Sequence, residues 1–161
     1  MIDLISGNYV HDNGDAGMAM MESFNADVSD NVFENNKYGF RMSVGCADNV
    51  FSNNVISGST RYSVYTYRGS DAPWVVDSGR MQDNIITGNT IIGSVKETIK
   101  LGSADGTQFI DNTFEDATKV RFQDSTDTIM SGNTGLDGVE LRITDGACFH
   151  GTADAAFAPV C

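Results

Sequence analysis

Gly7-Asn8-Tyr9-Val10, Asp30-Asn31-Val32-Phe33, Asn53-Asn54-Val55-Ile56, Gly88-Asn89-Thr90-Ile91, Asp111-Asn112-Thr113-Phe114 and Gly132-Asn133-Thr134 are six versions of one short motif. Each sets a small or polar residue before an asparagine and, in the first five, a β-branched or aromatic pair after it. The asparagines are 23, 23, 35, 23 and 21 residues apart, and a fixed period of this size marks a repeat architecture. Leucine-rich repeats share the period but need a leucine consensus that is missing here. The recurring Val, Ile, Phe and Thr favour strands, and the Gly, Asn, Asp and Ser between them favour turns. No amphipathic run between the motifs is long enough for a helix. The pattern predicts a parallel β-helix of about six or seven coils, in which each coil buries its inward side chains only by stacking on its neighbours. The asparagine is expected to take the left-handed conformation at a corner and to bond its counterpart one rung away, about 4.8 Å along the stack.

The long interval places an insertion at about residues 70–80, where Asp71, Pro73, Trp74, Asp77 and Gly79 suit a loop leaving the coil. Trp74 reads equally as a lid contact over a groove or as a plug against the coil wall. The repeat accounts for residues 1–146, and 147–161 form a tail or cap. Of the three cysteines, Cys148 and Cys161 are the better candidates for a pair, against three unpaired thiols.

A second strand recurs between the asparagine motifs, at Gly17–Met21, Gly39–Ser43, Ser63–Arg68, Thr98–Leu101, Lys119–Phe122 and Val139–Ile143. Side chains alternate along a strand, so Met18, Met20, Phe40, Met42, Val64, Ile99, Leu101, Val120, Phe122, Val139 and Leu141 point inward. Arg41, Tyr65, Tyr67, Lys100, Arg121 and Arg142 then point outward, with Arg68 and Lys119 at strand ends. In a chain with Lys+Arg 10, Asp+Glu 22 and net charge −12, this is a concentration of scarce cations. Such a row suits an anionic polymer with recurring carboxylates, such as a polyuronate, with Arg and Lys binding carboxylates and Tyr stacking on sugar rings. The alternative is a solvated face whose cations are compensated by Glu22, Asp124 and Glu140. The acidic balance disfavours nucleic acid as a partner. No apolar run approaches a membrane span, and Met1–Gly7 lack the form of a signal peptide. His11, in a turn, is a candidate base, and His150 is a weaker one. No nucleotide-binding, zinc-protease or serine-hydrolase motif occurs. No cofactor or metal is called for, although scattered Asp residues leave calcium at a turn open.

The runs Ala16–Asn31, Tyr38-Gly39-Phe40-Arg41, Tyr65-Thr66-Tyr67-Arg68-Gly69-Ser70-Asp71 and Ala104–Phe114 resemble the C-terminal part of the mannuronan C5-epimerases of brown algae. The resemblance covers nearly the whole chain. It implies a right-handed parallel β-helix that acts on alginate, converting β-D-mannuronate to α-L-guluronate within the polymer, in an extracellular or cell-wall setting. The family's Asp-Pro-His-Asp or Asp-Pro-His-Glu run is absent, since the only prolines are Pro73 and Pro159. The chain is therefore expected to be the C-terminal portion of a longer enzyme or a truncated paralogue, self-associating through an open N-terminal coil. The family's catalytic histidines have no counterpart here, and of candidate catalytic groups the chain offers Tyr65, Tyr67 and His11. Arg41, Arg68, Lys100, Arg121, Arg142 and Trp74 would line sugar subsites. A polyuronate lyase and a non-catalytic glycan-binding β-helix are the competing classes.

Overall fold

The computed structural model describes residues 3–69 and 76–151. Within them the chain winds as a parallel β-solenoid of six coils, with no α-helix. Three parallel sheets form its walls. Sheet I stacks Asp3–Ser6, Ala26–Ser29, Val50–Ser52, Ile85–Thr87, Gln108–Ile110, Thr128–Ser131 and Phe149–Gly151. Sheet II stacks Tyr9–His11, Val32–Glu34, Val55–Ser57, Thr90–Ile92 and Thr113–Glu115. Sheet III, the widest, stacks Ala16–Met21, Tyr38–Ser43, Tyr62–Tyr67, Glu97–Gly102, Lys119–Gln123 and Glu140–Thr144.

The register places like on like. Val28, Phe51, Ile86, Phe109 and Met130 form one inner column, and Val10, Phe33, Ile56, Ile91 and Phe114 a second. Met18, Phe40, Val64, Ile99, Val120 and Leu141 form a third. The inward set expected from alternation thus lies in the core, with Met18, Val139 and Leu141 only partly buried because the end coils have a neighbour on one side. Ile5 of the first coil, in register with the inward Val28, is exposed for the same reason, whereas Leu4 and Tyr9 stand at outward positions.

The corners are built differently from the expectation. Left-handed backbone falls on the residue before the asparagine, at Gly7, Asp30, Asn53, Gly88, Asp111 and Gly132, all with φ between 53° and 69°. The asparagine itself turns inward and is buried at Asn31, Asn54, Asn89 and Asn112. Its Oδ1 accepts both the backbone N–H and the side-chain amide of the asparagine one coil back, for example from Asn31 at 2.9 and 3.0 Å into Asn54. Its Nδ2 donates onward along the ladder and to a carbonyl such as Val28 O at 2.9 Å. The ladder runs unbroken from Asn8 to Asn133. Two shorter ladders, Asn13 to Asn36 and Asn49 to Asn84, repeat the device at the other corners. A carboxamide can serve this role because it donates and accepts at once, whereas the hydroxyls of Ser59 and Thr107, one period on from Asn36 and Asn84, are buried without a partner among the described residues.

The long interval follows the sheet III strand Tyr62–Tyr67, and residues 70–75 of the expected insertion lie outside the described residues. Trp74, and with it the choice between lid and plug, lies outside the described residues, as does Cys161 of the expected disulfide. Cys46 is a buried free thiol.

Candidate functional site

The outer face of sheet III carries the chemistry. Parallel pairing sets Arg41 beside Tyr65, Tyr65 beside Lys100, Lys100 beside Arg121 and Arg121 beside Arg142, one rank across five coils, as the spacing predicts. Tyr67 lies two residues further along the same face and stacks on Tyr65 with ring centroids 5.0 Å apart.

Alternation breaks at the start of these strands. A Cβ on Gly39 would lie 2.2 Å from Ile56 Cγ2 and 2.7 Å from Ser63 O, so Gly39 faces the interior just as its neighbour Phe40 does. Two consecutive inward positions send the preceding residue out. Tyr38 and Tyr62 therefore join the outer face, 5.1 and 4.9 Å from the Tyr65 ring, and Glu97 follows them in register. A strict period of two places all three on the wrong face. The signal that would have found them is the glycine, which only a close approach of coils requires.

The cations divide into two groups. Arg41 grips Asp15 with bonds of 3.1 and 3.0 Å, Arg121 binds the buried Glu97, and Lys119 and Arg142 both pair with Glu140. Lys100 has no carboxylate partner among the described residues. Its ammonium sits over the rings of Tyr62 and Tyr65 at 5.5 and 5.3 Å. Arg68 donates from Nε to Ser78 O at 2.5 Å, tying the base of the insertion, and is otherwise exposed. Thr66, Tyr67, Arg68, Lys100, Gln123 and Asp124 line a cleft of about 440 Å³ at this end of the sheet.

Burial raises the pKa of the Tyr65 phenol, and the neighbouring Tyr38, Tyr62 and Tyr67 add to the effect. At neutral pH Tyr65 is an O–H donor and not a phenolate base. His11 stands on sheet II, stacked on Tyr9 with centroids 4.5 Å apart and bonded to Asp12 at 2.7 Å. Tyr65 is on another sheet two coils away, so the three catalytic candidates are not brought together: the tyrosines are neighbours and the histidine stands apart.

Arg80, which closes the insertion, reaches Asp105 through Nε and Nη2 at 2.6 and 2.8 Å and Asp124 through Nη1 at 2.9 Å. Asp124 also lines the cleft. Hydrogen bonding to Arg80, reinforced by Thr126, lowers the Asp105 carboxyl below its ordinary 3.8. A carboxyl depressed in the folded state stabilises the fold above its unfolded value, and that contribution is lost as pH falls through the folded value. Acid unfolding followed by circular dichroism below pH 4 should therefore be steeper in the parent protein than in Arg80→Gln. Superimposable acid limbs would show that the clamp contributes nothing.

A family model described as NosD, periplasmic copper-binding protein, matches residues 3–134. No curated protein and no solved structure matches the chain.

Proposed function

The chain belongs to the NosD family of parallel β-helix proteins, and we propose that it binds an acidic polysaccharide, a polyuronate of the alginate type, on the outer face of sheet III. The single observation that carries this reading is the half-buried pair Tyr65 and Tyr67, backed by the buried Tyr38 and Tyr62, with Lys100 held over the Tyr62 and Tyr65 rings and unpaired with any carboxylate among the described residues. Aromatic faces take the apolar side of a sugar ring, and an unneutralised ammonium takes a carboxylate. The resemblance to mannuronan C5-epimerases supplies the polymer class. A periplasmic or extracellular setting, where acidic envelope polysaccharides are met, agrees with the family's description and with that resemblance.

Epimerisation of mannuronate rests on the resemblance alone. It requires removal of the C5 proton on one face of the ring and its return on the other, with the carboxylate neutralised. Tyr65 is kept protonated and His11 is on another sheet, so binding without turnover is the reading for this chain. Copper, named in the family's description, does not fit the donors of the described residues. His11 and His150 stand on different sheets, Cys46 donates its buried thiol to Ser43 O, and among the described residues no three His, Cys, Asp or Glu side chains gather as a metal-holding group.

Titration calorimetry with a mannuronate hexamer tests the proposal. Lys100→Gln and Tyr65→Ala should each weaken binding about tenfold, which is about 1.4 kcal/mol, the scale of one lost bond to a charged group. In the same mixtures the guluronate anomeric proton signal should not grow. Equal affinity for a neutral oligosaccharide of the same length would overturn the reading, and steady growth of guluronate would overturn binding without turnover.

A further inference from the structure

The distribution of unpaired cations is not random. Of the ten Lys and Arg, Arg41, Arg80, Lys119, Arg121 and Arg142 are matched by carboxylates. Lys37, Arg61, Arg68, Lys96 and Lys100 have no carboxylate within 4.0 Å among the described residues. All five line one of two clefts, one at each end of the tyrosine cluster. Arg68 and Lys100 border the first, together with Asp124, which Arg80 holds, and Asp145, which accepts from Gln123. Lys37, Arg61 and Lys96 border the second, about 560 Å³ in volume, at the corner between sheets II and III. Its other walls include Asn13, Asn35 and Thr60, and its acidic residue, Asp12, is turned to His11 at 2.7 Å.

These three cations share one cleft with Asp12 as its one acidic lining residue, and their other partners among the described residues are aromatic: Lys37 lies 5.3 Å from the Tyr38 ring and Arg61 6.0 and 5.3 Å from the Tyr38 and Tyr62 rings. Arg61 is fixed from behind. Its Nη1 donates to Tyr38 Oη at 3.2 Å and its guanidinium lies 5.3 Å from the Tyr62 ring, while its buried Nε has no partner. A guanidinium held in place by its tyrosine contacts at the wall of a cleft, beside two ammonium groups, is an arrangement for an oxyanion.

We propose that Lys37, Arg61 and Lys96 form an anion subsite for a uronate carboxylate, and that the bound polysaccharide lies along the strands of sheet III, across the coil axis, from this cleft over the tyrosines to Arg68 and Lys100. The inference rests on the polyuronate reading and deepens it. Along the coil axis the row is interrupted, because Arg41, Arg121 and Arg142 are neutralised. Along the strand, Tyr62–Tyr67 separates the two clefts by roughly 17–20 Å, a span for an oligosaccharide and not for one sugar.

Backbone NMR with a mannuronate hexamer, paired with calorimetry at two salt concentrations, tests it. The amides of Lys37, Arg61 and Lys96 should shift together with those of Tyr65 and Lys100. Lys37→Gln/Lys96→Gln should bind the hexamer about tenfold more weakly, with a shallower salt dependence, while its affinity for a disaccharide stays at the parent value. Shifts confined to Tyr65, Tyr67 and Lys100, with unchanged hexamer affinity in the double variant, overturn the subsite and leave the tyrosine face standing. Shifts confined to the Lys37 cleft, with Tyr65→Ala neutral, uphold the subsite and overturn the face. No shift at either place overturns both.

Discussion

Asn54→Ala should cost the fold about 3 kcal/mol, one of the largest losses available from a single side chain on this surface-rich scaffold. Asn54 is fully buried in the middle of the long ladder. Removing its carboxamide strands the Asn31 backbone N–H, takes a donor from Val28 O and from Asn89 Oδ1, and leaves a void where three coils meet. Each buried polar group without a partner costs about 1–3 kcal/mol, and no water can reach a corner closed by coils on both sides. Urea unfolding read by circular dichroism measures the loss. The neighbouring Asn53→Gly is the control: Asn53 is exposed with φ 54°, a conformation glycine adopts freely, so its midpoint should stay or rise. A loss under about 1 kcal/mol at Asn54 would mean that the ladder is a consequence of the fold and not a support of it.

Arg121→Gln should be comparably damaging, at about 3–5 kcal/mol, for an electrostatic reason. Glu97 has a side chain only 8% exposed, its Oε1 accepts from Arg121 Nη2, and its Oε2 has no partner among the described residues. Without the guanidinium a carboxylate remains in a site too dry to solvate it. Glu97→Gln/Arg121→Gln should recover most of the loss, because neutral isosteres leave no charge behind, and the coupling from the double-mutant cycle isolates the pair. Equal instability in the double variant would assign the damage to packing. The pair also settles what Arg121 can offer a polymer: its charge is spent on Glu97, so loss of glycan binding on its removal would report unfolding and not a lost contact.

The same two sites divide what repetition can and cannot show. The β-solenoid, the coil length, the inward columns and the rank from Arg41 to Arg142 follow from spacing, because parallel pairing maps each residue onto its equivalent one period away. The left-handed corner residue lies one position before the asparagine that repetition points to, since both Asn and the Gly, Asp or Asn before it tolerate left-handed backbone, and only the need of buried groups for partners places the asparagine inside. Family membership in NosD was not read from the residues, which resemble more than one kind of β-helix protein. Tyr38, Tyr62 and Glu97 were missed because Gly39 and its equivalents break the alternation.

Sequence by itself determined the architecture, since a repeat of local strand and turn preferences can bury its apolar residues in one way only, by stacking. Tertiary structure alone decided which cations remain available. Arg41 and Asp15, Arg121 and Glu97, and Arg80 with Asp105 and Asp124 are separated by between 24 and 44 residues and meet across coils, so their pairing depends on side-chain reach and not on period. Lys37, Arg61 and Lys96 sit in turns outside any alternating pattern, and only the closing of the corner between sheets II and III brings their charges to one cleft.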